Sequence, residues 1–466
     1  MIFNYENRFQ YVYFLLSGLV ASALMVLLYF SLQTSINNQR EHHLKTLQKS
    51  LEFIKPATSW NYSNTWQPIG PAVLNHRIYS AYFDIRTGIF DHVDDDINTF
   101  LYGSLRIFAI LPLKMSDAVS CHVRQQDFTV TLVSALESAP MHEHHGTDFA
   151  AYSIMCPLHA KRDSNNVLLP LSVAISYAPN SLSRTRPTYV PISYPKHMEA
   201  MLQKSKPEIA VCVEPLQQKQ ADALWIAEFV EMYRIQGASR FYFYRSEASA
   251  EVLSVLDYYR KLGLIEVLEW NTATYGEKIH DGGIAAQFND CVFRAMVVES
   301  YRYAAIVNLD EVIIPLKHNS LAEFLRHCDE GRTSGFVFRN VFFHKKDNDM
   351  FSVPQHVRNR LLYTQNKVRR TVEIMPAYIR SKCIVNTRAI VEMGQNQVCR
   401  SLPGYADNVV HHTVGLIFQY REKCINCKAM LMIDYTARRY GSLLWDRVDQ
   451  VCLQVFVTNN GVCPTP

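Results

Sequence analysis

The run Tyr303-Ala304-Ala305-Ile306-Val307-Asn308-Leu309-Asp310-Glu311-Val312-Ile313-Ile314-Pro315 constrains the fold more than any other segment, because it drives an apolar β-type stretch straight into a carboxylate pair. Strands of this composition lie inside mostly parallel sheets, where ligands sit at the carboxyl ends of the strands. Asp310 and Glu311 therefore fall where a divalent cation and a phosphate would meet. Hard cations such as magnesium or manganese take oxygen ligands, typically one or two carboxylates plus substrate phosphates. Taken alone, the same residues also describe a strand that ends in a solvated acidic turn. The surrounding pattern has to choose between the two.

From about residue 207 onward, strand and helix periods alternate. Ala210-Val211-Cys212-Val213-Glu214 reads as a buried strand, and Ala223 to Gln236 as a helix through Trp225, Phe229 and Tyr233, with Gly237 as its C-cap. Phe241 to Tyr244 is a second strand, Val252 to Leu262 a second helix ending at Gly263, and Ile265 to Leu268 a third strand. A long helix from about Ile284 to Tyr301 then feeds the acidic strand. This alternation is the signature of an α/β layer with right-handed crossovers.

The region before it differs. Between residues 70 and 200, Ile78–Asp84, Leu105–Ile110, Phe128–Val133 and Leu171–Ser176 are short β-branched or aromatic runs bounded by turn residues, which predicts a β-rich, sandwich-like accessory domain. The Pro/Lys-rich stretch Tyr194 to Pro207 marks its end. Residues 33–69 are polar and read as a stem, and 451–466 as a C-terminal tail. Tyr11 to Leu32 carries no charge and is long enough to cross a hydrocarbon layer of roughly 30 Å as one helix, behind a tail of residues 1–10. Arg8 precedes that span and Arg40, Lys45 and Lys49 follow it, a charge count that by itself turns the large part to the cytoplasm. The eleven cysteines all follow the span, and the sequon Asn61-Tyr62-Ser63 lies just beyond it, which suits a lumenal, oxidising compartment. Their odd number leaves at least one thiol outside any internal disulfide. Cys424-Ile425-Asn426-Cys427 has no second C-x-x-C partner, and Cys452 and Cys463 have no familiar zinc spacing, so disulfides or simple packing are expected. A net charge of +4 gives no support to nucleic-acid binding.

On the long helix, Gln287, Asp290 and Arg294 share one face, with Phe288, Cys291, Val292 and Met296 on the apolar side. His280-Asp281-Gly282-Gly283 precedes it as a flexible turn whose N–H groups could meet a phosphate. The basic cluster Arg358, Arg360, Lys367, Arg369 and Arg370 reads as a solvated edge. The motifs then fall into a recognisable order: Glu228-Phe229-Val230-Glu231-Met232-Tyr233-Arg234, Gly237 to Tyr244, Gln287 with Asn289-Asp290-Cys291, and Leu309-Asp310-Glu311-Val312 with Pro315. Together with Ser80-Ala81-Tyr82-Phe83-Asp84 and Ser381-Lys382-Cys383-Ile384-Val385, they resemble glycosyltransferase family 92 over roughly residues 75–425.

That resemblance implies a Golgi type II membrane protein with a lumenal GT-A catalytic domain over residues 207–450. It implies a UDP-sugar donor, UDP-galactose in characterised members, a glycan acceptor, a manganese or magnesium ion, and inversion at the anomeric carbon. Asp310 matches the metal-binding carboxylate, supported by Glu311, while Asn308 stands where the motif's first acid would meet the ribose or a coordinated water. Val213, Glu214, Tyr244 and Arg245 are placed for the uridine, and Gln287 and Asp290 for donor handling. The general base is not identified. Two positions depart from the family's pattern. Gly394-Gln395-Asn396 lacks a histidine two residues after the glycine, and Gln419-Tyr420-Arg421 stands for His-Tyr-Arg. His411 and His412 are the nearby candidates to replace the lost imidazoles. These departures keep open a non-catalytic lumenal protein that retains the fold and binds glycans or a partner.

A lumenal globule predicts an N-glycan on Asn61. Glycosidase treatment should shift the mobility of the parent chain and leave Asn61→Gln unchanged, whereas digestion of residues after 70 by protease outside sealed microsomes would show the opposite orientation.

Overall fold

The computed structural model describes residues 22, 24–28, 31, 65–70, 74–86, 99–115, 118–161, 169–177, 187–194, 208–216, 222–345, 358–359, 361–422 and 430–464. The Tyr11–Leu32 run falls mostly outside them, and the Asn61 sequon, Arg360, Cys424 and Cys427 wholly so. Among the described residues no helix is long and apolar enough to cross a membrane. Trp60–His159 with Pro170–Pro466 forms one compact unit, and Met1–Ser59 with Ala160–Leu169 another.

The first sheet has nine strands: β1 (Gln67–Pro68), β2 (Arg77–Asp84), β3 (Thr99–Pro112), β4 (Val119–Arg124), β5 (Val130–Ser134), β6 (Glu137–Pro140), β7 (Phe149–Lys161), β8 (Ser172–Tyr177) and β9 (Val190–Ser193). They run in the order β5-β4-β8-β9-β2-β3-β7-β6, with β1 beside β2, and Cys121–Cys156 ties β4 to β7. The predicted runs became β2, β3, β5 and β8, and because β4 and β7 stand five places apart in the strand order, the bridge between them, with Cα atoms 6.4 Å apart, shows that the sheet curls back on itself. The helix Ile284–Val297 covers β2 and β3: Phe288, Val292 and Phe293 share an apolar cluster with Tyr79, Tyr82, Phe108 and Ile110, and the Phe108 and Phe293 rings lie 5.3 Å apart. Strand patterns report that a face is buried and not what buries it.

The α/β part contributes β10 (Ile209–Val213), β11 (Ala238–Arg245), β12 (Ile265–Glu269), β13 (Tyr303–Val307), β14 (Glu311–Pro315), β15 (Thr333–Phe338), β16 (Asn340–His344), β17 (Arg369–Thr371), β18 (Lys382–Asn386), β19 (Ile390–Met393), β20 (Val398–Ser401), β21 (Ala406–Val409), β22 (Gly415–Arg421) and β23 (Leu431–Ile433). The central sheet runs β12-β11-β10-β13-β18-β15-β21. Its first four strands are parallel, and β18 then joins β13 antiparallel. A five-stranded sheet follows the order β14-β22-β16-β17-β23, and β19 and β20 form a hairpin. The run from Tyr303 to Pro315 is thus two strands in two different sheets, joined by the acidic turn.

The crossover helices end as their sequences dictate. Helix Ala223–Ile235 starts on the Asp222 carboxylate, which accepts the Trp225 N–H at 2.6 Å, and stops at Gly237, whose φ of +103° only glycine adopts freely. Helix Ala250–Lys261 is capped by Ser249 and followed by Gly263 at φ +72°. The disulfide Cys212–Cys291 fastens β10 to the buried helix, closing a loop of 79 residues. In the chain-entropy view such a closure stabilises by about 4–5 kcal/mol.

That buried helix holds a polar node. Asp290 has no exposed surface and accepts hydrogen bonds from Ser80 Oγ at 2.5 Å, Tyr82 Oη at 2.6 Å and Tyr244 Oη at 2.5 Å. Arg294 Nε approaches it at 3.4 Å and also reaches Glu266 through Nη1 at 3.2 Å. Three of the singled-out motifs therefore meet on one carboxylate, which joins the nine-stranded sheet to β11. Removing it strands three hydroxyls and a guanidinium in a dry interior, so Asp290→Ala should lower stability by about 3–5 kcal/mol, seen as a fall in the urea midpoint. An unchanged midpoint would contradict this account.

Candidate active site

The site lies where the chain order of the central sheet reverses. β10 is followed by β11 on one side and has β13 on its other side, so the carboxyl ends of β10 and β13 frame a topological switch point. Val213 pairs with Val307, the Glu214 N–H donates to the Val307 carbonyl at 3.1 Å, and Glu214 Oε1 accepts the Leu309 N–H at 3.2 Å. The turn closes on itself. The Glu311 N–H donates to the Asn308 carbonyl at 3.1 Å, and Glu311 Oε2 accepts the Asn308 N–H at 2.8 Å.

Helix Ala223–Ile235 holds this turn through two aromatic side chains whose part sequence reading missed. Trp225 Nε1 donates to the Leu309 carbonyl at 2.9 Å, and Tyr233 Oη donates to the Glu311 carbonyl at 3.2 Å while accepting the Ile313 N–H at 3.1 Å. Their helical spacing had marked them only as core. A buried indole or phenol carries a polar atom that needs a partner, and that need is the available signal.

Asp310 and Glu311 lead in different directions. Glu311 is buried, lies 3.9 Å from Lys382 Nζ and has one oxygen tied to its own turn. Asp310 is partly exposed and accepts both of its side-chain contacts from Gln419 Nε2, at 3.0 and 3.2 Å. Gln419 stands opposite Glu311 in the β14–β22 ladder, and Asn340 Nδ2 holds its other end at 3.1 Å. The position that departs from His-Tyr-Arg thus touches the predicted metal ligand directly. His411 and His412 do not replace it. The same ladder pairs Pro315 with Gly415, so both histidines precede the far end of the strand.

Three carboxylates and three cations share this corner. Burial, then the charges of Asp310 and Glu311, push the Glu214 carboxyl up to about 8, and Lys382 opposes the shift. Burial also takes Glu311 to about 7, opposed by Lys382 and reinforced by Asp310. Asp310 is raised by burial, against the pull of Gln419, Arg421, Lys345 and Lys382. Lys345 Nζ rests 4.4 Å from the Tyr363 ring centre and 5.1 Å from that of Trp225. Two polar oxygens are buried without a protein partner, Asn308 Oδ1 and Gln287 Oε1.

Other predicted residues are placed differently. Gln287 is fully buried beneath the site, donating from Nε2 to the Val213 carbonyl at 3.0 Å. Asp290 and Tyr244 are spent on each other inside the core, and neither side chain is accessible to a donor. A polar stripe on one helix face suggests a cleft, yet here an accessory sheet carrying its own hydroxyls covers it. Arg245 pairs with Glu269. The Asp281-Gly282-Gly283 turn has three consecutive positive φ values, and a Cβ on Gly283 would stand 3.3 Å from Ile279 and 3.4 Å from Ile110, so the glycines serve close packing. Of the basic cluster, Arg370 is paired with Asp434 at 2.7 Å.

The sequence model of glycosyltransferase family 92 matches residues 207–440, half of the chain. The beta-1,4-galactosyltransferase galt-1 of Caenorhabditis elegans is 22% identical over 384 residues, which cover 80% of each protein. Among solved structures, S. aureus TarS 1-349 is similar at 12% identity with a TM-score of 0.24, the match covering 53% of this chain and 66% of that one, and its complex with UDP is similar at 10% identity and the same score. The matched residues contain the parallel strands, the crossover helices and the acidic turn between β13 and β14, and the chain belongs to glycosyltransferase family 92.

Proposed function

We propose that this protein transfers a hexose, galactose from UDP-galactose, to a glycan acceptor with inversion, using a divalent cation at Asp310. The observation that carries the reading is the partly exposed Asp310 carboxylate at the switch point, with Lys345, Arg421 and Lys382 close enough to act on it. A carboxylate beside a cationic fringe suits a metal–diphosphate pair. The donor set fits manganese or magnesium, because Glu214, Asn308, Asp310 and Glu311 offer only oxygen, and Asn308 Oδ1 is left without a protein partner. Bound there, the cation supplies Lewis-acid neutralisation of the charge developing on the departing diphosphate. Asp310 holds it, Glu311 braces the turn, and Trp225 and Tyr233 fix the backbone that aims both. Galactose follows from the relative named a beta-1,4-galactosyltransferase. A Golgi-lumenal, single-pass type II placement agrees with the Tyr11–Leu32 run and with the disulfides Cys121–Cys156, Cys212–Cys291 and Cys452–Cys463.

A second reading rests on Gln419. Its amide occupies the Asp310 carboxylate where the family pattern has an imidazole, so the fold could bind a nucleotide sugar or glycan without turning it over. Calorimetric titration with UDP and manganese, run beside an assay of UDP release with mixed glycan acceptors, separates the two. Binding with release supports transfer, binding without release for every donor supports the non-catalytic reading, and loss of both removes nucleotide-sugar chemistry.

Two outcomes follow from the geometry. Asp310→Ala should cut turnover by roughly 10²–10³, equivalent to about 3–4 kcal/mol, while Asn308→Ala costs much less because it removes no charge; equal rates for parent and Asp310→Ala would end the metal assignment. The second concerns pH. Glu214 and Glu311 titrate near 8 and 7 in the fold, and near 4.3 when unfolded. The native state therefore keeps protons that the unfolded chain has lost, and metal-free stability falls as pH rises from about 4.3 to about 8. A cation that binds the ionised carboxylates offsets this loss. Manganese should raise Tm more at about pH 8 than at about pH 6, and an equal or smaller rise at the higher pH would refute the site.

A further inference from the structure

A second group of donors converges away from the acidic turn, between the β6–β7 connection and the β19–β20 hairpin. His142 Nδ1 lies 2.9 Å from Glu392 Oε1, which also accepts the His142 backbone N–H at 2.8 Å. Ligand atoms of His142, Glu392 and Cys399 all lie within 4.8 Å of one another. Glu143 joins them. A Cβ built on Gly394 would stand 2.5 Å from Glu143 Oε1 and 2.8 Å from Cys399 Sγ, so a residue without a side chain is what lets carboxylate and thiol approach each other. Cys399 is not in a disulfide. The Glu392 side chain is 6% exposed and that of His142 60%, so the group is anchored inside and reachable from solvent.

The chemistry of the set is selective. An imidazole, a thiol and two carboxylates suit a borderline-soft ion such as zinc, whose bonds of about 2.0–2.3 Å place ligand atoms roughly 3–4 Å apart. Arg400 is the cation facing the group, with Nε 3.6 Å from Glu392 Oε2, but its Nη2 is also 2.5 Å from Glu137. One guanidinium is therefore divided among more than one acid, and the pocket keeps excess negative charge. Another cluster, His318, Glu323 and His327, is less suited. It brings no thiol and no buried residue, His318 and Glu323 being half-buried and His327 exposed, so nothing anchors it inside the fold.

We propose that His142, Glu143, Glu392 and Cys399 form a structural zinc site that fastens the β19–β20 hairpin to the β6–β7 connection. On binding, the thiol proton passes to solvent, and His142 ligates through Nδ1 with its proton on Nε2. The clamp has a reach beyond itself. Glu143 Oε2 accepts the Gln395 N–H at 2.5 Å, the Gln395 carbonyl accepts Lys382 Nζ at 3.1 Å, and that ammonium lies 3.9 Å from Glu311. The hairpin thus positions Lys382 beside the acidic turn. The inference does not depend on sugar transfer and survives if that reading fails.

The test uses the purified full chain, stripped with chelator and dialysed against zinc. The parent should retain one zinc ion per chain, Cys399→Ser and Glu143→Gln should each weaken zinc at least about 10-fold, and His318→Ala should leave it unchanged. Cobalt(II) in place of zinc should give thiolate-to-cobalt absorption in the parent, absent in Cys399→Ser. Should Cys399→Ser fail to fold, the parent's cobalt spectrum and Glu143→Gln decide. Cobalt bound without thiolate absorption, zinc affinity unaffected by Cys399→Ser or Glu143→Gln, or zinc lost in His318→Ala would overturn the proposal.

Discussion

The parallel pairing of β10 with β13 is the constraint on which the rest of the structure depends. It brings Glu214 within hydrogen-bonding distance of the Leu309 N–H and leaves Asn308, Asp310 and Glu311 at a point where the sheet changes direction. Because β14 leaves for a different sheet, the turn cannot relax along either strand. It is gripped from below by the Trp225 indole and the Tyr233 phenol, both fully packed in the first crossover helix. A carboxylate held by that much rigid scaffold is aimed before any ligand arrives, which is where binding energy is best conserved.

Electrostatics at this corner are set by crowding. Three acids placed together and partly removed from water resist ionisation, and the protein answers with Lys382 beside Glu311 and with Lys345 and Arg421 near Asp310. Among the described residues, no hydrogen bond or ion pair joins these cations to the Asp310 carboxylate. Its side-chain partner is the neutral Gln419 amide, so the charge that would attract a divalent ion is left largely intact. The same amide contacts both carboxylate oxygens through a single nitrogen. The exchange of imidazole for amide thus acts on the predicted metal ligand itself.

The accessory sheet has a structural part in the family domain. Its Ser80 and Tyr82 hydroxyls, with Tyr244 from the central sheet, saturate Asp290, and its Phe108 packs on Phe293 of the same helix. The helix is consequently dry on every side, which explains why Gln287, Asn289 and Asp290 are all without exposed surface although they look like a polar stripe. Asn289 spends its amide on Met393 and Ala285, closing the hairpin side of the same core.

The sequence by itself determined the alternation of strands and helices after residue 207, the stops at Gly237 and Gly263, and the placing of Asp310 and Glu311 at a strand's carboxyl end. Each of these is local: a hydrophobic period, a φ that only glycine adopts freely, a charge at the end of an apolar run. Tertiary structure alone decided that Asp290 and Tyr244 are spent inside the core, that Gln419 faces Asp310 across 109 residues of chain, and that the helix Ile284–Val297 packs on β2 and β3. A polar side chain on a helix face carries no label for the partner it will meet. Whether it lines a cleft or saturates a buried network depends on what packs above it, and that is fixed by contacts distant in sequence, such as Ser80 and Tyr82 on Asp290.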